Sequence, residues 1–482
     1  MAFIRKVKTG SGATAVQIAH KRYGRVSKIE HIGSAHADEE LQILITLAKK
    51  RLLGTQRLLF DDPEVKIGIG LQQSYSGLLL EILTKQYNYL GFNELKDSDF
   101  AYLSIARLVE PTSKLDSLRV LNDLGVAGIS KDRLYRCLKR VIKKDYRTQV
   151  AKFCFTQASK NGISLLLYDV TTLYFEVQKE DEFRKPGMSK ERRLEPQIIV
   201  GLLVDQSGFP LSVNSFEGNK AETKTILPII TAFKKQHNLT DITVVADAAM
   251  LSADNLKALR QAGYHYIVGS RLQKIPYDIS EYQKTGEKLV DNQIITTRVD
   301  DHRIVYQYRA KRAALDIRNI EKQIAKARRI INNLTPTSKA KFLTLKAKEK
   351  KLNQALIDKA YALAGIKGYV TNLNLPDADI IRYYHQLFQV EASFRMAKSD
   401  LKARPIFHHK QDAINAHLTI VFAALAIGRT IERLSGVSLK QFVKTLRPIR
   451  NGTVIINGKT YAADAIIPPS IVQLLKKLEA GH

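Results

Sequence analysis

Two short apolar runs, each ending in an aspartate, place the tightest limit on how this chain can fold. Leu165-Leu166-Leu167-Tyr168 runs into Asp169, and Val244-Val245-Ala246 runs into Asp247. Runs this short and apolar read as central strands buried on both faces. In open α/β sheets, functional groups gather beyond strand carboxyl ends. One such aspartate is as often a turn cap, and two in one stretch of strands are better evidence of a site. Strand signals cover 163–168 and 170–177, then Gln197–Val204 and 210–216, joined by the hairpin turn Asp205-Gln206-Ser207-Gly208. A helix over 221–235, a strand over 242–246 and a further helix and strand ending near Ser270 complete a mixed α/β order.

A third carboxylate belongs to a predicted helix over 378–402. Tyr384, Phe388, Glu391, Arg395 and Lys398 recur at steps of four and three and share one face of it. Leu387, Val390, Phe394 and Leu401 form an adjoining apolar stripe that would dock on the sheet. An ordinary surface ladder of Glu with Arg and Lys makes the same pattern. Were Asp169, Asp247 and Glu391 to meet, their mutual repulsion would call for cations. Hard divalent ions with oxygen ligands suit that role, and paired metals support in-line displacement at phosphorus. Arg395 and Lys398 would then hold substrate phosphates.

The net charge of +29 is spread along nearly the whole chain. Such a field favours a polyanion, nucleic acid before a ribosomal or membrane-surface partner. The longest apolar run, 418–427, contains Thr419 and falls short of the ~20 residues of a membrane span. Cys137 and Cys154 cannot make a disulfide framework or a four-ligand zinc site, and they fit a reducing cytoplasm.

At 482 residues the chain is expected to hold several domains. Segment 1–60 reads as a β-hairpin, turning at Tyr23-Gly24, and a helix. Segment 61–160 reads as helical, with helices over 77–87, 100–108, 114–124 and Lys131–Lys143, the last capped by Ser130. That helix carries Arg133, Arg136, Lys139 and Arg140, as a recognition helix or a solvated basic face would. Segments 161–270 and 366–430 flank 271–365, an inserted arm with strands over 293–299 and 303–310. A Lys/Arg-rich helical hairpin over 317–332 and 339–361, broken at Thr335-Pro336-Thr337, follows in the arm. The tail, 431–482, holds a small hairpin turning at Asn457-Gly458. Lys220 and Glu222 face a site or merely start a helix. The basic stretch 184–193 clamps a polyanion or is simply solvated. His408 and His409 read as helix-end residues before metal ligands, and the cysteines as packing residues.

Asp169, Asp247 and Glu391, in this order and with a long insertion before the last, resemble the DDE transposases of bacterial insertion sequences. The likeness is to the group with an interrupted catalytic domain, whose signature is Tyr, two residues, Arg, three residues, Glu, six residues, Lys. Tyr384, Glu391 and Lys398 stand at those spacings, and Leu387 takes the arginine position. Tyr168-Asp169-Val170-Thr171-Thr172, Gly208-Phe209-Pro210-Leu211, Phe216-Glu217-Gly218-Asn219, the segment around Glu391 and Arg404-Pro405-Ile406-Phe407-His408 add to it. The resemblance implies a ribonuclease-H-like mixed sheet flanked by helices, a mainly helical N-terminal DNA-binding region and an inserted β/helical arm. It implies catalysis by Asp169, Asp247 and Glu391 with Mg²⁺ or Mn²⁺, as two ions. Strand cleavage at element ends and attack of a 3′-hydroxyl on target duplex DNA would follow, in a homodimer in the bacterial cytoplasm, at the nucleoid. Tyr384, Arg395, Lys398, Arg133, Arg136, Lys139 and Arg140 would contact DNA, the N-terminal region holding terminal inverted repeats. Some relatives stack a flipped base on a tryptophan near the second aspartate; this chain has none, so Met250 or a tyrosine would substitute. A catalytically silent DNA-binding derivative and a ribonuclease-H-like nuclease are the alternatives.

Overall fold

Between residues 165 and 371 eight strands assemble into one mixed sheet flanked by helices. A computed structural model describes residues 2–480 apart from 11, 23–24, 54–68, 161, 177–179, 188–194, 240–241, 249–251, 271–275, 300–301, 337–339, 347–348 and 457–458. The strands of the large sheet are β1 (Leu165–Tyr174), β2 (Gln197–Val204), β3 (Pro210–Glu217), β4 (Thr243–Ala246), β5 (His265–Ser270), β6 (Ile294–Val299), β7 (His302–Tyr308) and β8 (Ile366–Thr371). They lie in the order β6-β7-β8-β5-β4-β1-β2-β3. β1, β4 and β5 are parallel, and the other neighbours pair antiparallel. The near-continuous apolar runs of β1 and β2 are buried, as central strands covered on both faces must be. Asp205 shapes the β2–β3 turn by accepting the backbone N–H groups of Ser207 and Phe209.

The inserted segment departs from expectation. Instead of standing off as an arm, β6 and β7 extend the sheet: β7 pairs along the whole of β8, from Arg303–Thr371 to Tyr308–Ile366. The pairing covers an edge that β8 would otherwise expose, and it buries Val305 and Tyr306. The helix Ala310–Ile331 follows, but the second half of the expected helical hairpin is largely a β-hairpin, Leu343–Lys346 with Glu349–Leu352, before the short helix Gln354–Ala362. Phe342, fully buried with Ile320 and Ile357, pins this hairpin to the long helix and overrides helix propensity.

Outside the large sheet, Ala2–Lys8, Thr14–Arg22 and Arg25–Ala35 form a three-stranded antiparallel sheet backed by the helix Asp38–Leu53. Among the described residues of the 61–160 stretch, helices dominate, with one strand, Ile69–Tyr75, which pairs with Asn451–Ile456 of the tail hairpin. That pairing spans most of the chain, so no local pattern announces it. The expected turn residues Tyr23, Gly24, Asn457 and Gly458, with Met250, Thr337 and 188–193 of the basic stretch, lie outside the described residues.

Three helices matter for the site: α1 (Asp377–His385), α2 (Phe388–Arg395) and α3 (Gln411–Ser435). α3 contradicts the expectation that no segment could span a membrane. It is long and apolar enough by length and composition, but 89% of that window is buried inside the protein. It is the hub on which the N-terminal helices, β3 and the last helix pack.

Candidate active site

β1 and β4 bring the two aspartates together. Their parallel register pairs Leu167 with Val245 and Tyr168 with Ala246, so Asp169 and Asp247 follow at the same level on adjacent strands. Asp169 is half-buried and accepts the Val170 N–H at 2.8 Å. Asp247 is exposed; one oxygen accepts the Ala248 N–H at 2.7 Å and the Tyr384 hydroxyl at 3.3 Å. That hydroxyl fits only because residue 269 is glycine: a Cβ there would come within 2.7 Å of it.

The expected single helix over 378–402 is instead two. At Gln386 and Leu387 the backbone tightens into three-residue hydrogen bonds, Gln386 N–H to Tyr383 and Leu387 N–H to Tyr384, and this break separates α1 from α2. A five-residue π-helical turn, Met396–Asp400, follows. The face inferred for a straight helix is therefore split, with Tyr384 buried and Phe388 58% exposed. The apolar stripe survives: Leu387, Val390, Phe394 and Leu401 are all buried. α2 packs across β1 and β2, and Ser393 donates to the Gly208 carbonyl at 2.7 Å, tying α2 to the β2–β3 turn.

Glu391 is exposed on α2, yet its charge reaches the same groups as that of Asp247. Both carboxylates act on Tyr384, whose phenol is pushed up first by burial and then by Asp247. Both also act on Lys367 of β8, whose ammonium lies 4.4 Å from the Tyr384 ring centre. Burial, then Arg312, lowers the Lys367 pKa, and Asp247 and Glu391 oppose the shift. Among the described residues, no three His, Cys, Asp or Glu side chains stand close enough to hold a metal ion by themselves. The two aspartates are thus level, and the glutamate belongs to the same electrostatic neighbourhood without closing on them.

A cleft of about 460 Å³ opens beside Asp247 and Tyr384. The inserted segment supplies its far wall, with Arg312, Lys341 and Lys359, and β8 adds Lys367. Sequence reasoning missed these four cations, since their spacing carries no periodic signal that points at the carboxylates. Arg395 is exposed and Lys398 half-buried in the π-helical turn.

Residues 160–427, more than half of the chain, match the family model described as Transposase DDE domain. The chain belongs to the DDE transposases. Membership makes it one of a family of nuclease and strand-transfer enzymes. No curated protein matches this transposase significantly. Among solved structures, a cryo-EM piggyBac transposase synaptic complex with hairpin DNA is similar at 13% identity, over 77% of this chain and 79% of that one, with a TM-score of 0.43. That likeness is too slight to bear on the site.

The remaining expected site residues of this transposase divide clearly. In the helix Lys131–Lys143, Ser130 caps the Arg133 N–H as expected. Arg133 and Arg140 are committed to ion pairs within the chain: Arg133 pairs with Asp99 at 2.6 Å, and Arg140 with Asp97 and Asp99 at 2.8 Å each. Arg136 and Lys139 point outward. Arg184, expected in a solvated or clamping loop, is buried against Phe175 and paired with Asp181. Lys220 lies over the Phe216 ring and Glu222 opens a short 3₁₀ turn. His409 contacts Arg184, His408 packs near His417, and both cysteines are free and buried.

Proposed function

We propose that the chain cuts DNA at the terminal inverted repeats of a bacterial insertion sequence and joins the ends to target duplex DNA, with Asp169, Asp247 and Glu391 as its catalytic carboxylates. The observation that carries this reading is the register that sets Asp169, in the middle of β1, level with Asp247, just past the end of the parallel strand β4, beneath a helix bearing Glu391. The order β3-β2-β1-β4-β5 supports a ribonuclease-H-like core, and Tyr384, Glu391 and Lys398 support the group signature.

Carboxylate donors suit a hard cation such as Mg²⁺ or Mn²⁺, which Asp169 and Asp247 would hold from adjacent strands, with Glu391 of α2 as the third donor once it closes on them. Such an ion supplies Lewis-acid polarisation of a phosphate and activation of an attacking oxygen. The chain does the rest. Tyr384 fixes the Asp247 carboxylate through its hydroxyl, acting as a positioning residue. Lys367 offsets the clustered negative charge. Arg312, Lys341 and Lys359 on one side, and Arg395 and Lys398 on the other, hold the phosphates of the strand. Arg136 and Lys139 bind repeat DNA, and a homodimer bridges both ends.

Purified protein with Mg²⁺ or Mn²⁺ should nick duplexes bearing the repeats that flank its gene. Asp169→Asn, Asp247→Asn and Glu391→Gln should each lower cleavage by about 10³-fold or more, since the metal-held charge stabilisation is worth several kcal/mol. Undiminished cutting by any of them removes that residue from the site. The spacing of the carboxylates favours one second reading, a silent DNA-binding derivative; repeat binding with no cleavage in either metal would establish it.

A further inference from the structure

A second cleft, of about 450 Å³, shares no lining residue with the one at Asp247. Separate parts of the chain wall it: Gly10, Gly12 and His36 of the N-terminal region, the segment 108–111, the end of the π-helical turn with Lys402, and the helix Leu439–Leu446 with Arg447 after it. Lys402, Lys440 and Lys444 stand exposed around it, the last two one helical turn apart on one face. Of its acids, Glu110 is committed to Arg119 and Arg447. Asp400 is the other, its carboxyl raised by burial against the pull of Lys440.

Arg447 lies against the same cleft, only 1% exposed. Its Nε and Nη2 are engaged by Asp123, and Nη2 also by Glu110, but Nη1 has no hydrogen-bond partner. His36, also lining the cleft, has a buried Nε2 without a partner. A buried polar group left unpaired is destabilising, so a ligand atom that pairs with it is favoured. The same cleft carries an apolar wall that includes Leu108, Val109, Pro111 and Val443. A bare phosphate would leave that wall open to water, and an apolar ligand would leave the cations unanswered. A group that is anionic at one end and flat and apolar at the other answers both demands.

We propose that this cleft binds a nucleotide unit, its phosphate taken by Lys402, Lys440, Lys444 and Arg447 and its base laid on the apolar wall. The unit comes either from a DNA strand or from a free nucleotide. The site is independent of the carboxylates, so it stands or falls separately from catalysis.

The test uses full-length protein in EDTA and three probes: inorganic phosphate, deoxyadenosine 5′-monophosphate and a single-stranded hexanucleotide, followed by calorimetry. The mononucleotide should bind in a 1:1 ratio about tenfold or more tighter than phosphate. The double variant Lys440→Ala/Lys444→Ala should weaken it about tenfold, whereas Lys476→Ala/Lys477→Ala, the same charge change on the exposed face of the last helix, should not. Asp169→Asn should bind as the unaltered protein does, whatever its cutting activity. Tighter binding of the hexanucleotide than of the mononucleotide supports a strand as occupant, and equal or weaker binding supports a free nucleotide. Phosphate binding as tightly as the mononucleotide, equal losses in the two double variants, or no binding at all overturns the proposal.

Discussion

At the scale of single residues, the site rests on Tyr384 and on the absence of a side chain at Gly269. Tyr384→Phe keeps the buried ring and removes only the hydroxyl that holds Asp247. A hydrogen bond to a charged acceptor is worth about 1.5–3 kcal/mol, so cleavage should fall about tenfold or more while DNA affinity and melting temperature hold. Gly269→Ala should mimic that loss by pushing the hydroxyl aside. A different residue-scale effect lies away from the site, where Arg107, Lys114 and His417 are buried together, with His408 beside them. Among the described residues no carboxylate answers Arg107 or Lys114. Burial pushes Arg107 down to about 10, and Lys114 falls well below its usual range through burial and then Arg107. Burial followed by Lys114 takes His408 down to about 4, and the same causes put His417 well below its usual range. Both histidines therefore stay neutral in the fold where the unfolded chain protonates them, so stability is full above pH 6.5 and is lost as pH falls toward 4. Lys114→Met should raise the melting temperature, a gain of about 1–4 kcal/mol at most, and flatten that acid limb; a lowered melting temperature would show the lysine is needed.

At the scale of elements, the basic helix Lys131–Lys143 shows how one pattern serves two purposes. Asp97 caps the helix Ser98–Val109 and also accepts from Arg140 and Tyr146. Asp97→Ala removes a cap and leaves Arg140 short of a partner, and it should cost about 2–5 kcal/mol in urea unfolding. Arg136→Ala and Lys139→Ala should leave stability within about 0.5 kcal/mol while weakening repeat binding, each lowering the salt slope by roughly one. The reverse pattern would assign the helix to packing alone. Boundaries of these helices were legible because caps and apolar periodicity are local. The break between α1 and α2 was not: Leu387 and Val390 continue a helical stripe across it, and no local signal marks the tightened turn at Gln386 and Leu387.

Across the whole molecule, the +29 charge is the dominant long-range term. Counterion release should make repeat binding fall by about 10³-fold or more between 50 and 200 mM salt. Filter binding across that range checks this, and a flat response would mean that few phosphates are contacted. The eight-stranded sheet is also a property of the whole chain, because β6 and β7 reach its edge only through β8, which arrives after the insertion. The pairing of Ile69–Tyr75 with Asn451–Ile456, and the buried pairing of Arg447 and Arg450 with Asp123, join the two ends of the chain around α3.

What the residues alone determined was local and periodic. They set the apolar strands that carry Asp169 and lead into Asp247, though β1 runs on past Asp169 to Tyr174, and they set the Asp205–Gly208 turn, the cap at Ser130, the buried stripe beside Glu391 and the cationic character of the molecule. Tertiary structure decided which basic side chains stay free and which are bound internally, since Arg140 and Arg136 look alike until Asp97 folds against one of them. It also decided that the inserted segment completes a sheet and walls a cleft, that an apolar helix is a core rather than a membrane span, and how near Glu391 comes to the aspartates. Those outcomes depend on contacts between residues hundreds of positions apart, whose closure is fixed by packing and leaves no period in the sequence to read.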